Sequence, residues 1–193
     1  VVSGRDPITI MPQPPSRPYG AVFTVGHSTH SIEAFIGLLH TYGIQRLADI
    51  RTVPRSRHNP QFNADELARS LPQAGIDYIP MPALGGLRHA RKDSPNAGWR
   101  NASFRGYADY MLTPAFEAAL GELIAASRGK RVAIMCAEAV PWRCHRSLVA
   151  DALIVHGVPV VEILSESKSR EHTLTSFAMI EGTRVSYPPV PAP

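Results

Sequence analysis

The sequence predicts an α/β protein: a single open, mostly parallel sheet of about five strands with helices on both faces, Rossmann-like or flavodoxin-like. Two observations carry that expectation. Short apolar runs alternate with stretches of helical periodicity between residues 21 and 164, the pattern of successive β-α-β units. Reactive side chains also gather just after the apolar runs, at the carboxyl ends of the strands where open α/β proteins build their sites.

Ala21-Val22-Phe23-Thr24-Val25 reads as the first strand, closed by Gly26-His27-Ser28. Ile32, Phe35, Ile36 and Leu39 then recur at helical spacing, and Gly43 stops that helix. Leu47-Ala48-Asp49-Ile50 is the second strand, followed by an irregular basic loop from Arg51 to Phe62 with Pro54 and Pro60. Asn63 with Glu66 three residues later resembles a capping box, opening a helix through Leu71. Ile76-Asp77-Tyr78-Ile79 is the third strand.

Residues 83–103 form a long loop, a length that points to a lid or binding loop. Phe104 to Met111 reads as a short helix. Thr113-Pro114 caps another, with Phe116, Leu120, Leu123 and Ile124 on its inner face. Val132 to Met135 is the fourth strand, the helix after it ends at Gly157, and Val158 to Leu164 is the fifth strand. Beyond Ser165 no period stands out, and strand order is not encoded in any of these patterns.

A chain of 193 residues forms one domain with a full core. The boundaries read as a Pro-rich arm at 1–20, extended or disordered, an α/β domain at 21–187 and a Pro-rich tail at 188–193. No apolar run reaches the length of a membrane span, and residues 1–18 lack the layout of a signal peptide, so a cytoplasmic location is expected. The net charge of +4 favours anionic ligands. Two cysteines do not make a disulfide scaffold; a Cys136–Cys144 bridge is geometrically feasible, and a reduced pair is the default.

The densest chemistry lies in Met135-Cys136-Ala137-Glu138-Ala139-Val140-Pro141-Trp142-Arg143-Cys144-His145-Arg146. Cys144-His145-Arg146 is expected to open a helix, whose free N–H groups and partial positive charge favour anions and a thiolate. The bland alternative is that both cysteines are small buried apolar groups. Cys136, Cys144 and His145 are also candidate metal ligands, with His27 or His89 as additional donors. The C-x7-C-H spacing matches no zinc knuckle, and adjacent side chains tend to diverge. A cysteine-phosphatase loop would need C-x5-R, but position 142 is Trp and the arginine follows at 143.

Glu138 is a candidate acid–base or nucleophilic group; its bland role is an ion pair with Arg143, Arg146 or Arg51. His27 is a candidate acid–base group, or part of a plain turn in which Ser28 or Ser31 caps the next helix. Ser28, Asp49, Arg51, Arg55, Gly85, Gly86, Tyr107 and Arg146 are candidate substrate-binding residues, with Asp49 as an orienter of the arginines. Trp99, Phe104 and Tyr107, interleaved with basic residues, suit stacking on a base.

In order along the chain, Gly26-His27-Ser28, Asp49-Ile50-Arg51-Thr52-Val53-Pro54-Arg55-Ser56-Arg57, Pro60-Gln61-Phe62-Asn63, Leu84-Gly85-Gly86, Phe104-Arg105-Gly106-Tyr107-Ala108, Met135-Cys136-Ala137-Glu138 and Cys144-His145-Arg146 resemble the bacterial family catalogued as domain of unknown function 488. The resemblance covers roughly Val22 to Ile163. This chain has Leu87, with Arg88 following, where the family has arginine after the double glycine. It has Ile50 and Thr52 where valine and serine are usual. The resemblance implies a Rossmann-like or flavodoxin-like domain and brings no established activity.

Three functions remain open on these residues. The first is an enzyme, a hydrolase or transferase, that takes a small anionic, nucleotide-like or phosphorylated substrate at the sheet edge. There Arg51, Arg55 and Arg146 hold the anion, Glu138 with His27 or His145 does the chemistry, and Cys144 supplies a thiolate. The second is a nucleic-acid-binding module whose basic loops at 51–58 and 88–105 track a backbone. The third is a metal-dependent hydrolase or redox protein built on the cysteine–histidine cluster, with zinc or iron as cofactor; the other two need none.

Overall fold

A computed structural model describes residues 20–189 of the chain. The expected Pro-rich arm and the end of the tail lie outside the described residues. Five α-helices surround a six-stranded sheet, and a separate two-stranded hairpin follows it. The parallel strands are β1 (Val22–Gly26), β2 (Arg46–Asp49), β3 (Asp77–Pro80), β4 (Val132–Cys136) and β5 (Val160–Ser165). A sixth strand, β6 (Lys168–Glu171), returns antiparallel on β5. The order across the sheet is β3-β2-β4-β1-β5-β6. The α/β class and the five parallel strands agree with the sequence, each strand within two residues of its expected ends.

The helices divide between the two faces. Helices α1 (Ile32–Thr41) and α2 (Ala64–Gln73) cover one, burying Phe35, Leu38, Leu39, Leu67 and Leu71 against Val25, Leu47, Ala133 and Met135. Helices α3 (Ala102–Met111), α4 (Pro114–Ala126) and α5 (Arg146–Val155) cover the other, where Tyr107, Phe116, Leu120 and Leu148 meet Ala48, Val132 and Ile134. Alternate residues of β4 thus feed opposite cores, as the two-residue strand period requires. Each fully buried Leu, Val or Phe side chain stabilises the fold by about 1.5–3 kcal/mol, so the doubly covered central strands are the most strongly fixed part of the sheet.

This division creates the crevice. From β1 and β2 the chain moves toward the β3 edge by way of α1 and α2. From β3 and β4 it moves the opposite way by way of α3, α4 and α5. Right-handed crossovers running in opposite directions must lie on opposite faces. The helices that follow β4 and its two neighbours therefore diverge, and the carboxyl end of β4 is a topological switch point.

Local signals at the helix ends explain several boundaries. Ser31 caps α1 by accepting from the Ala34 N–H at 3.2 Å, and Thr113 caps α4 by accepting from Phe116 N–H at 3.3 Å. Asn63 does not form the expected capping box: its side chain accepts from Ser56 N–H at 2.8 Å, and Glu66 pairs with Arg69. The carboxamide stabilises the preceding loop instead of the helix. Helix α5 begins at Arg146, with a 3-10 turn over Pro141–Arg143 and then Cys144 and His145 before it.

The segment after Ser165, without a period in the sequence, wraps the molecule. Strands β7 (Met179–Glu181) and β8 (Arg184–Ser186) pair with each other, and β8 buries Val185 against the α3–α5 face. His172 ties the segment down: its Nδ1 lies 2.7 Å from Glu162 Oε1 and its Nε2 2.8 Å from Asp151 Oδ1. Tyr187 donates to Asp151 Oδ2 at 2.8 Å and Arg170 to Glu162 Oε2 at 2.6 Å. Burial alone would lower the pKa of His172, but its bonds to the two carboxylates outweigh that and raise it to about 9. No helix among the described residues is long and apolar enough to cross a membrane.

Candidate functional site

The walls of the crevice begin at β1. After Gly26 the chain stays beside β4, with His27 N–H donating to Cys136 O and Ser28 N–H to Ala137 O, both at 3.0 Å. A Cβ on Gly26 would lie 2.0 Å from Glu138 O, so only glycine lets the two strand ends close. Ser28 pays for the turn with a left-handed φ of 48°, a strain of about 1–3 kcal/mol that clusters at functional sites.

His27 is buried, stacked 4.2 Å from the Phe62 ring and engaged at both nitrogens. Nδ1 donates to Ser28 O at 2.9 Å, which leaves Nε2 to accept from Arg51 Nη1 at 3.3 Å. Burial, chiefly, lowers its pKa to about 4, so the ring is neutral at physiological pH. Arg51 is itself buried and forms a two-pronged pair with Asp49, Nε to Oδ1 at 2.8 Å and Nη2 to Oδ2 at 2.6 Å, while Nη2 also donates to Phe62 O. Tyr78 donates a further bond to Asp49. The Arg51 charge is thereby neutralised within the wall.

Beneath the opening lie the two cysteines and His145. Cys136 Sγ, Cys144 Sγ and a ring nitrogen of His145 all fall within 4.8 Å of one another. Cys144 Sγ and His145 Nδ1 are 3.6 Å apart. The expectation that these adjacent side chains diverge is not met, because Cys144 is extended (φ −132°, ψ 145°) and His145 has turned helical (φ −56°, ψ −14°). That single change of backbone state brings both side chains to one side. His145 Nε2 donates to Ile50 O at 3.1 Å, so Nδ1 carries the free lone pair.

The thiols share a proton unequally. Hydrogen bonding to Cys144, aided by burial, pushes Cys136 up to about 12. The bond from Cys136 pulls Cys144 down to about 6 against the opposing effect of burial, with help from the charge of Arg146. Arg146 is fully buried; it donates to Thr24 Oγ1 at 3.0 Å and to Glu138 O at 2.5 Å. Among the described residues it pairs with no carboxylate, and a buried guanidinium favours an anion nearby.

Two adjoining clefts open onto this cluster. One, of about 330 Å³, is bordered by His27, Arg51, Arg55, Gly86, Cys136 and His145. The other, of about 280 Å³, is bordered by Phe104, Cys136, Glu138, Arg143, Cys144 and His145. The structure thus brings His27, Arg51, Arg55, Gly86, Glu138, Cys144 and His145 together. It sets Tyr107 behind His145, ring centroids 5.0 Å apart, with its hydroxyl donating to Leu84 O. Asp49, Gly85 and Arg146 lie within the walls rather than along the clefts, Gly85 packed against Thr52. His89, offered as an additional metal donor, is not in the cluster.

Thr52, Ser56 and Ser103 also border the clefts without having been candidate substrate-binding residues, and Arg143 borders one of them. Their positions within the basic loop, the long loop and the cysteine segment were the available signal. Trp99 packs on Phe104, Phe177 and Tyr187, and so anchors the long loop instead of offering a stacking face.

An open α/β domain with a cysteine–histidine cluster at its topological switch point is what fold and site define. A family model described as "Domain of unknown function DUF488" matches residues 31–153, and the chain belongs to that family. No curated protein and no solved structure shows a significant match to the chain.

Proposed function

We propose that the chain is an enzyme, a hydrolase or transferase, that takes a small anionic substrate of the phosphorylated or nucleotide class in the paired clefts. The observation that carries this reading is convergence: five separate stretches, His27, 51–56, 86–87, 103–104 and 136–145, border one switch-point crevice with polar and reactive groups, the usual place for a ligand in such sheets. Arg55 and Arg143 are exposed on opposite clefts, and among the described residues neither side chain has a hydrogen-bond or ion-pair partner. Free guanidinium groups there suit a phosphate or carboxylate. Glu138, exposed beside the cluster, is placed to move a proton, and Cys136, Cys144 and His145 supply the reacting centre.

Calorimetric titration with inorganic phosphate and nucleoside monophosphates tests this reading. Saturable binding that weakens about tenfold or more in Arg55→Ala or Arg143→Ala supports it, since a charged hydrogen bond contributes about 1.5–3 kcal/mol. Binding unaffected by either change contradicts the assignment. The nucleic-acid reading draws less support: Arg88 lies over the Tyr110 ring at 3.6 Å and donates to Gly85 O, and Arg91 pairs with Asp93 at 2.7 Å. Two of the five lysine and arginine side chains between residues 88 and 105 are therefore already engaged, Arg91 by an opposite charge.

A further inference from the structure

The geometry points to a binding site for one thiophilic divalent cation of the zinc class, held by Cys136 Sγ, Cys144 Sγ and His145 Nδ1, with the fourth coordination position facing the clefts. This deepens the proposed function, because it identifies what the reacting centre holds. For bonds of about 2.3 Å to sulfur and about 2.05 Å to nitrogen, a tetrahedral site has an S···N edge of about 3.6 Å and an S···S edge of about 3.8 Å. The observed Cys144 Sγ to His145 Nδ1 separation is 3.6 Å, and both sulfurs and a ring nitrogen of His145 lie within 4.8 Å of one another. Small side-chain rotations close the remaining gap.

Two independent features prepare His145 for this role. Its Nε2–H is bonded to Ile50 O, the outer contact that fixes a ligating imidazole's tautomer and aims its other nitrogen. Opposite Nδ1 stands Gly86, where a Cβ would lie 2.4 Å from that atom. That position is also 2.8 Å from Cγ and 3.0 Å from Cε1, so Gly86 packs on the ring face and its missing side chain lets the imidazole keep the orientation in which Nδ1 faces Cys144. With two sulfurs and one imidazole, the donor set suits zinc-like ions and not magnesium or calcium, which take oxygen ligands. Cys136 and His145 border both clefts and Cys144 one of them. A three-ligand site open on that side is the arrangement of catalytic rather than structural zinc.

The test is Co²⁺ titration of the full chain, stripped with chelator and kept reduced. The expected result is about one Co²⁺ per chain, a thiolate-to-cobalt charge-transfer band and the intense visible bands of tetrahedral cobalt, all displaced by Zn²⁺. Cys136→Ser and Gly86→Ala should each weaken binding at least tenfold while the far-ultraviolet circular dichroism is unchanged. Gly86→Ala leaves every ligand in place, so it guards against a cysteine variant that fails to fold. Absence of the charge-transfer band in the unsubstituted chain, or its full retention in both Cys136→Ser and Cys144→Ser, would overturn the site. Phosphate binding to the stripped protein without cobalt binding defeats only the metal site. Cobalt binding with no anion binding defeats only the proposed substrate class.

Discussion

Cys144 Sγ and His145 Nδ1 stand 3.6 Å apart although their residues are consecutive, because the backbone passes from extended to helical between them. Neighbouring side chains in regular structure do not usually share a target. Here the irregular step between a 3-10 turn and α5 lets them do so, and β4 presents Cys136 from the other side. The cluster thus depends on the loop before the helix as much as on the strand.

The two glycines at the crevice should separate folding from function. Gly26→Ala drives a methyl into the Glu138 carbonyl at 2.0 Å, where backbone on both sides must move. It should destabilise by about 3 kcal/mol or more, read as a lowered midpoint in urea. Gly86→Ala meets a side chain, the His145 ring, which can rotate away. Its stability loss should stay near 1 kcal/mol, while ligand binding at the cluster falls.

Removing the partner of Arg51 should be costly. Asp49 and Arg51 are both buried and joined by two hydrogen bonds. Asp49→Asn keeps the shape but leaves a buried guanidinium without its counter-charge, a loss of about 3–5 kcal/mol. Denaturant unfolding at neutral pH measures it. A change below about 1 kcal/mol would mean that the wall is hydrated and the pair is not structural.

Stability should also fall in alkaline solution through His172. Its folded pKa of about 9 lies above the ordinary 6.5, so the stabilisation is fully present below about pH 6.5 and disappears as pH rises through 9. At most it amounts to about 3 kcal/mol. The groups facing the ring are Asp151, Glu162 and the Glu162 partner Arg170, with Tyr187 sharing Asp151. Burial would raise the pKa of Glu162, but its bonds to His172 and Arg170 lower it, so its own contribution is lost on acidification. Between pH 6 and 10 the unfolding free energy of the native chain should fall relative to that of His172→Gln, because the two cysteines titrate alike in both chains and cancel in the difference.

Much of this fold was legible because parallel strands covered on both faces must be apolar throughout. Val132 to Met135 and Val158 to Leu164 announce themselves that way. Strand β6 does not: Lys168–Glu171 is polar and exposed along its length, and β7 and β8, at three residues each, are too short to show a period. Strand order is a tertiary property and left no local trace.

The site was legible as a set of strand-end segments, since the sheet gathers those ends whatever their order. Which side chains reach the opening was not. Arg146 and Tyr107 carry groups as reactive as those of Arg55, yet both are fully buried, and only the packing of α5 and α3 decides that. The Asp151–His172–Glu162 staple escaped notice because its members are far apart in sequence. Glu162, a charge within an apolar strand, was the one available clue.

The most direct measurement is a two-dimensional amide spectrum of the isotopically labelled chain during titration with inorganic phosphate and then a nucleoside monophosphate. Saturable shifts centred on Arg55, Gly86, Ala137 and Arg143 are the predicted result. Shifts centred instead on the groove bordered by Trp142, Arg170 and Thr175, or no saturable shifts at millimolar anion, would contradict the switch-point crevice as the substrate site.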